Sequence, residues 1–96
     1  MRFAYKARYL AAFDHFLPSE QLLILHTDKQ IRQYYATRQA PIGLGIKRLY
    51  ACGSGKVFEA RVSRAIRIVW VEGYSLISFS LIGSHNDVTR YLRSLR

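Results

Sequence analysis

Lys56 to Tyr91 reads KVFEARVSRAIRIVWVEGYSLISFSLIGSHNDVTRY, and its reading decides the fold. Apolar and polar residues alternate with the period of a strand through VFEARV, AIRIVWVE and YSLISFSLI. Ser63-Arg64 and Glu72-Gly73 fall between the runs as tight connections, which predicts an antiparallel meander. In the first run Val57, Glu59 and Arg61 share one side, and Phe58, Ala60 and Val62 the other. The second run puts Ala65, Arg67, Val69 and Val71 on one side against Ile66, Ile68 and Trp70. If the purely apolar sets face covering helices, Glu59, Arg61 and Arg67 share the opposite, open face. The stretch then stops at His85, where a helix is expected to begin at Ser84 or Asn86, both good N-cap types.

Working outward, IKRLY supplies a further strand, joined to VFEARV through Gly53-Ser54-Gly55. It is preceded by the loop QAPIGLGI (39–46), whose Pro41, Gly43 and Gly45 do not suit a helix. Upstream, MRFAYKARY alternates weakly as a first strand and leads into a helix with Leu10, Phe13 and Leu17 at helical spacing. Leu17-Pro18-Ser19-Glu20 breaks that helix and starts a second one. Leu23, Thr27, Ile31 and Tyr34 share one face of this longer helix, which should end near Arg38, so that the two form a hairpin. At the other end Val88, Tyr91, Leu92 and Leu95 line one face of a short C-terminal helix. The order β-α-α-β-β-β-β-α predicts an α+β fold, with an N-terminal helical hairpin packed on a small twisted antiparallel sheet and a short C-terminal helix.

Composition limits the function classes. At 96 residues, residues 1–96 form a single domain; half of the residues are hydrophobic and 14% aromatic, enough for one packed core. Fifteen Lys and Arg against six Asp and Glu give a net charge of +9, which makes a polyanion the default partner. An anionic membrane surface or an acidic protein would answer the same charge. No stretch approaches a membrane span, and Arg2, Lys6 and Arg8 interrupt the only early apolar run, so neither a signal peptide nor a membrane is expected. The single cysteine, Cys52, excludes an internal disulfide framework, fits a reducing cytoplasm and reads as a small buried hydrophobe. His15 and His26 lie on predicted helix surfaces, and no spacing of His, Cys, Asp and Glu suggests a metal. Neither a metal nor a cofactor is therefore called for.

The residues that carry chemistry are the arginines and the histidine. Arg61 and Arg67 on one sheet face can hold a phosphate, and a histidine at a helix start next to them suits proton transfer. The plainer reading of the same face is a solvated Glu59–Arg61 ion pair, and that of His85 is a residue bonding its own turn. Lys47 and Arg48 enter the strand beside VFEARV, so one of them should extend the face into a basic groove. Arg64 sits in the turn at its end. Arg90, Arg93 and Arg96 recur every third residue on the last helix and read as solubility and macrodipole charge. Tyr34, Tyr35, Tyr50, Tyr74 and Tyr91 are candidates for base stacking, although tyrosines at such positions more often pack a core or its rim.

The order of these motifs over residues 39–92 resembles the RelE/ParE superfamily of bacterial toxin–antitoxin toxins. Members often read G-L-x-x-K-x-L, then G-x-(aromatic)-E-x-R-V-S, then Y-R-(aliphatic), then G-x-H-D-x-(aliphatic)-Y. The resemblance implies a cytoplasmic toxin neutralised by a cognate antitoxin in a hetero-oligomer, through a segment laid over its helices or groove. It implies metal-independent cleavage of mRNA at the ribosome, by attack of a ribose 2′-OH on the adjacent phosphate, and hence inhibition of translation. By position it makes Arg67 the arginine that stabilises the transition state, Arg61 the basic residue one strand earlier, and Lys47 part of the groove. His85, in the G-(S/T)-H-x-(D/E) turn of YafQ-type toxins, would protonate the leaving 5′-oxygen. Substrate contacts are expected from Lys47, Arg48, Glu59, Arg64 and Tyr91. The chain departs from the pattern at Thr89, where many relatives carry Tyr or Phe, and at Ile66, where they often have an aromatic residue or histidine. Two alternatives share the scaffold: a ParE-like inhibitor that binds DNA gyrase, and a binding module for RNA or protein without activity.

Overall fold

The computed structural model describes residues 1–53 and 55–95; Ser54 and Arg96, and with them parts of the expected Gly-Ser-Gly turn and of the C-terminal arginine series, lie outside the described residues. The side chain of Cys52, expected to be buried, lies outside them too. The elements are β1 (Arg2–Tyr5), α1 (Ala7–Asp14), α2 (Pro18–Thr37), β2 (Lys47–Cys52), β3 (Gly55–Arg61), β4 (Arg67–Glu72), β5 (Leu76–Gly83) and α3 (His85–Ser94). This is the expected α+β order, helical hairpin first.

The meander β2-β3-β4-β5 is antiparallel throughout, as the alternation predicts. The first strand changes the sheet from antiparallel to mixed. β1 lies parallel to β5 at the edge, giving the order β1-β5-β4-β3-β2, with Arg2 opposite Leu76 and Tyr5 opposite Phe79. Two antiparallel neighbours need only a turn, whereas a parallel pair needs a long crossover, and here the rest of the chain supplies it.

One face of the sheet packs under the hairpin. Ala60, Ile68, Trp70, Ile77 and Phe79 are buried there against Tyr9, Ile24, Ile31 and Tyr35. Phe58, Ala60 and Val62 with Ile66, Ile68 and Trp70 thus face the helices as the alternation requires. The helical spacing is right but its phase differs from the one expected. Leu10, Leu17 and Leu23 are exposed, and the buried stripe of α2 is Ile24, Thr27, Asp28, Ile31 and Tyr35. Leucine at those positions cannot by itself mark the buried side, because the hairpin lies on the sheet with its aromatic residues, chiefly Tyr9, underneath. Trp70 donates its indole N–H to Tyr35 Oη at 2.7 Å, so the polar edge of this core is satisfied. Arg38 closes α2 in the left-handed region (φ 60°) and lies over the rings of Tyr34 and Tyr35.

The second face carries a smaller apolar cluster. Val57, Val69 and Val88 are buried in it, with Leu81, Leu92 and Leu95 packed around them. The C-terminal helix therefore covers part of the face that alternation alone leaves open.

Candidate functional site

Sheet register brings the charged residues together. Arg61 is the direct partner of Arg67 across β3 and β4, and Arg67 is the direct partner of Gly83 across β4 and β5. One cross-strand row thus runs Arg61, Arg67, Gly83, and His85 follows two residues later as the first residue of α3. The neighbouring row begins with Lys47 opposite Glu59, which in turn faces Val69. Lys47 therefore shares the face of Glu59 and Arg67. Arg48 pairs with Phe58 and so belongs to the helix-facing side, where it is exposed. Of the two basic residues entering β2, the first one extends the site.

Arg67 is the unusual member. Its side chain is only 18% exposed, and its Nε and Nη1 are buried without a hydrogen-bond partner among the described residues. Glu59 lies diagonally across the ladder with Oε1 3.8 Å from Nε, an attraction between charges at a distance beyond hydrogen-bond reach. The expected pairing of Glu59 with Arg61 is thus replaced by one with Arg67. Arg61 reaches outward and is exposed, while Arg67 leans into the space beside Glu59. Like charges placed directly opposite on a sheet repel, and buried donors without acceptors are costly. Both costs fall if an anion settles between Arg61 and Arg67.

The turn into α3 has a structural half and an available half. Ser84 is the N-cap: its Oγ accepts from the Asp87 N–H at 3.2 Å, and the Asp87 carboxylate accepts from the Ser84 N–H at 2.8 Å. The Ser84 backbone N–H, then its hydroxyl, hold the Asp87 carboxyl below its ordinary value, with Arg90 adding to the effect. Since Ser84 and Asp87 close the turn, His85 is not its cap; its side chain is exposed and makes no hydrogen bond among the described residues, two residues on from Gly83 of the arginine row. Thr89 donates its hydroxyl to the His85 carbonyl at 3.1 Å, so the residue in place of the usual aromatic is tied to the helix backbone. Gly83 is needed where it stands, because a Cβ there would lie 2.7 Å from Asp87 Cβ and Oδ2.

The other expected contacts disperse. Arg64 is exposed in the turn 62–66 just beyond the Arg61–Arg67 pair, where Ile66 N–H donates to Ser63 Oγ. The loop 39–46 abuts the same end, since the Arg61 N–H donates to the Leu44 carbonyl at 2.9 Å. Tyr91 does not join His85. It lies further along α3 under the Arg8 guanidinium, 5.6 Å from ring centroid to Cζ, in a separate groove.

Sequence reading missed a third cluster. Asp28, buried on α2, accepts from Tyr5 Oη at 2.7 Å and from Arg32 Nε at 3.2 Å. Burial, then the bond to Asp28, pushes the Tyr5 hydroxyl up to about 12. An i,i+4 Asp28–Arg32 pair was the only local signal available.

The sequence matches no family profile and no curated protein. Solved structures share its fold, among them the following three. RelE in the archaeal RelE–RelB complex from Pyrococcus horikoshii superposes with a TM-score of 0.68 at 12% identity, over 86% of this chain and 92% of that one. A YoeB/ParE toxin from Agrobacterium tumefaciens gives 0.63 at 14%, over 88% and 99%. The DinJ–YafQ complex of E. coli gives 0.61 at 16%, over 92% and 98%. At such identities the likeness is one of architecture, and the architecture of this chain is that of the RelE, YoeB/ParE and YafQ toxins.

Proposed function

We propose that this protein is the toxin of a toxin–antitoxin pair, a cytoplasmic endoribonuclease that cleaves mRNA at the ribosome and so blocks translation. The observation that carries the reading is the row Arg61, Arg67, Gly83 ending at His85, with a half-buried guanidinium whose Nε and Nη1 lack hydrogen-bond acceptors among the described residues. In this mechanism the ribose 2′-OH loses its proton to water as its oxygen bonds to the adjacent phosphorus, and the bond from phosphorus to the 5′-oxygen breaks, leaving a 2′,3′-cyclic phosphate. Negative charge grows on the equatorial oxygens, and Arg67 with Arg61 answers it from fixed positions. His85 gives a proton to the departing 5′-oxygen. Lys47 and Arg64 hold neighbouring phosphates, and Glu59 balances the Arg67 charge until a phosphate takes its place. The antitoxin partner rests on the fold likeness to proteins solved with RelB and DinJ. The exposed leucines Leu10, Leu17, Leu22 and Leu25 of the hairpin offer it an apolar surface.

The test is induction of wild type, His85→Ala and Arg67→Ala in bacteria, with mapping of mRNA 5′ ends and of plasmid supercoiling. Wild type should create new ends in translated regions, and both variants should lose them. Unchanged ends with wild type expressed would remove the nuclease reading, and altered supercoiling that survives His85→Ala would put gyrase in its place.

A further inference from the structure

β1 ends at Tyr5, whereas β5 runs on to Gly83, and the last ladder-side contact is the Lys6 N–H donating to the Phe79 carbonyl at 2.9 Å. Beyond Phe79, α1 takes the place of a neighbouring strand. A groove opens there between α1 and α3, over Ser80, Leu81 and Ile82 of β5. It has two lobes, of about 430 Å³ and 260 Å³, which share Arg8 and Tyr91 in their walls.

We propose that this groove, walled by Lys6, Arg8, Arg90 and Tyr91, is a second binding site for single-stranded RNA, separate from the arginine row. The inference rests on the reading above for the identity of its ligand, and on the groove itself for everything else. Arg8 forms no ion pair among the described residues; it is held over one face of the Tyr91 ring. Lys6 stands beside it, exposed and likewise without a carboxylate partner among the described residues. The one acid in the wall, Asp87, is already occupied by Ser84 and Arg90. An aromatic ring beside two cations, Lys6 and Arg8, that have no carboxylate partner among the described residues is the composition by which proteins hold single strands, bases stacking while phosphates meet the positive side chains. An acidic peptide would use the cations and leave the ring and the apolar floor at Leu81 idle. The groove lies on the far side of α3 from His85, since Asp87, Arg90 and Ser94 fall about 140° to 200° round the helix from that residue. Tyr91 is six residues beyond His85 on the same helix, about 9 Å along its axis.

The experiment measures binding of a short 2′-O-methyl oligoribonucleotide, which cannot be cleaved, across a range of salt concentrations. Lys6→Gln with Arg8→Gln should weaken binding about tenfold and flatten the slope of log affinity against log salt by about 0.7 for each charge removed. Tyr91→Leu, which keeps an apolar side chain against Leu81, should weaken binding about tenfold with the slope intact. Both exposed cations can be removed without touching the core, and unchanged melting temperatures will show it. Affinity and slope equal to wild type in the double variant would overturn the proposal. So would loss of binding to polyglutamate, or to vesicles of anionic lipid, with RNA binding retained. Cleavage of mRNA is read in parallel. A wild type that cleaves while groove variants bind normally removes only the second site, whereas one that binds through the groove and never cleaves removes only the nuclease reading.

Discussion

The Arg67 guanidinium stands 3.8 Å from the Glu59 carboxylate, close enough for attraction and too far for a hydrogen bond. An incoming phosphate therefore meets a guanidinium that has no hydrogen bond to Glu59 to break, and a small turn of that group would bring its covered Nε and Nη1 to the ligand. Arg67→Gln should lower single-turnover RNA cleavage by about a hundredfold to a thousandfold, the scale of losing one preorganised donor to a developing charge. Glu59→Gln removes the internal competitor, so titration with inorganic phosphate should show tighter binding in that variant. Weaker phosphate binding would refute the arrangement.

Ser84 and Asp87 cap α3 reciprocally. Ser84→Ala should cost about 1 kcal/mol, seen as a melting temperature lower by about 4–8 °C in a domain of this size. The Asp87 carboxyl titrates below 3.8 in the folded chain, so its stabilisation is present above the unfolded value and fades as pH falls through the lowered folded one. Wild type and Asp87→Asn should accordingly differ in stability at neutral pH and converge in acid, as chemical denaturation at a series of pH values will show.

Gly83 touches both the cap and the arginine row. A methyl group there would meet Asp87 at 2.7 Å, and Gly83→Ala should destabilise by about 1–3 kcal/mol. If crowding is the cause, the Gly83→Ala change should cost far less in an Asp87→Gly background, which lacks the Cβ, whereas Asp87→Ala, which keeps it, should relieve the loss only in part, as urea unfolding will show.

Two buried tyrosines should respond oppositely to loss of their hydroxyl. Tyr35 Oη is the acceptor for Trp70 Nε1, so Tyr35→Phe strands a buried donor and should cost about 1–3 kcal/mol. Tyr9 Oη is buried without a partner among the described residues, and Tyr9→Phe should leave stability unchanged or raise it. Equal losses in the two variants would contradict this assignment of the polar groups.

Much of this architecture could be read in the chain because the alternation from Val57 to Trp70 keeps one phase; β5 changes phase at its irregularity near Ser80, so that Ile77, Phe79 and then Ile82 join the helix-facing core. That phase placed Phe58, Ile68 and Trp70 under the helices and Glu59, Arg61 and Arg67 away from them, as the structure has it. Local pattern is silent on long-range partners. Nothing near Arg2–Tyr5 says that this strand runs parallel to Leu76–Phe79. Nor does anything near Tyr91 say that its ring meets Arg8. Leu10 and Leu23 do not mark the buried side because the leucines of the hairpin, Leu22 and Leu25 included, are exposed, and the buried stripe is carried instead by Tyr9, Ile24, Ile31 and Tyr35. The site was legible as residue types, while the pairing of Glu59 with Arg67 depended on a diagonal contact that sequence spacing does not express.

The parallel β1–β5 pair also orders events in time. Arg2 finds its partner only when Leu76 is available, and Tyr5 only when Phe79 is. During synthesis, the earliest strand must wait unpaired until nearly all of the sheet has emerged, and contacts this distant in sequence form slowly. The groove beside α1 is framed by the same late closure. A nascent chain would thus complete this sheet, and with it the groove beside α1, only once Leu76–Phe79 had left the ribosome.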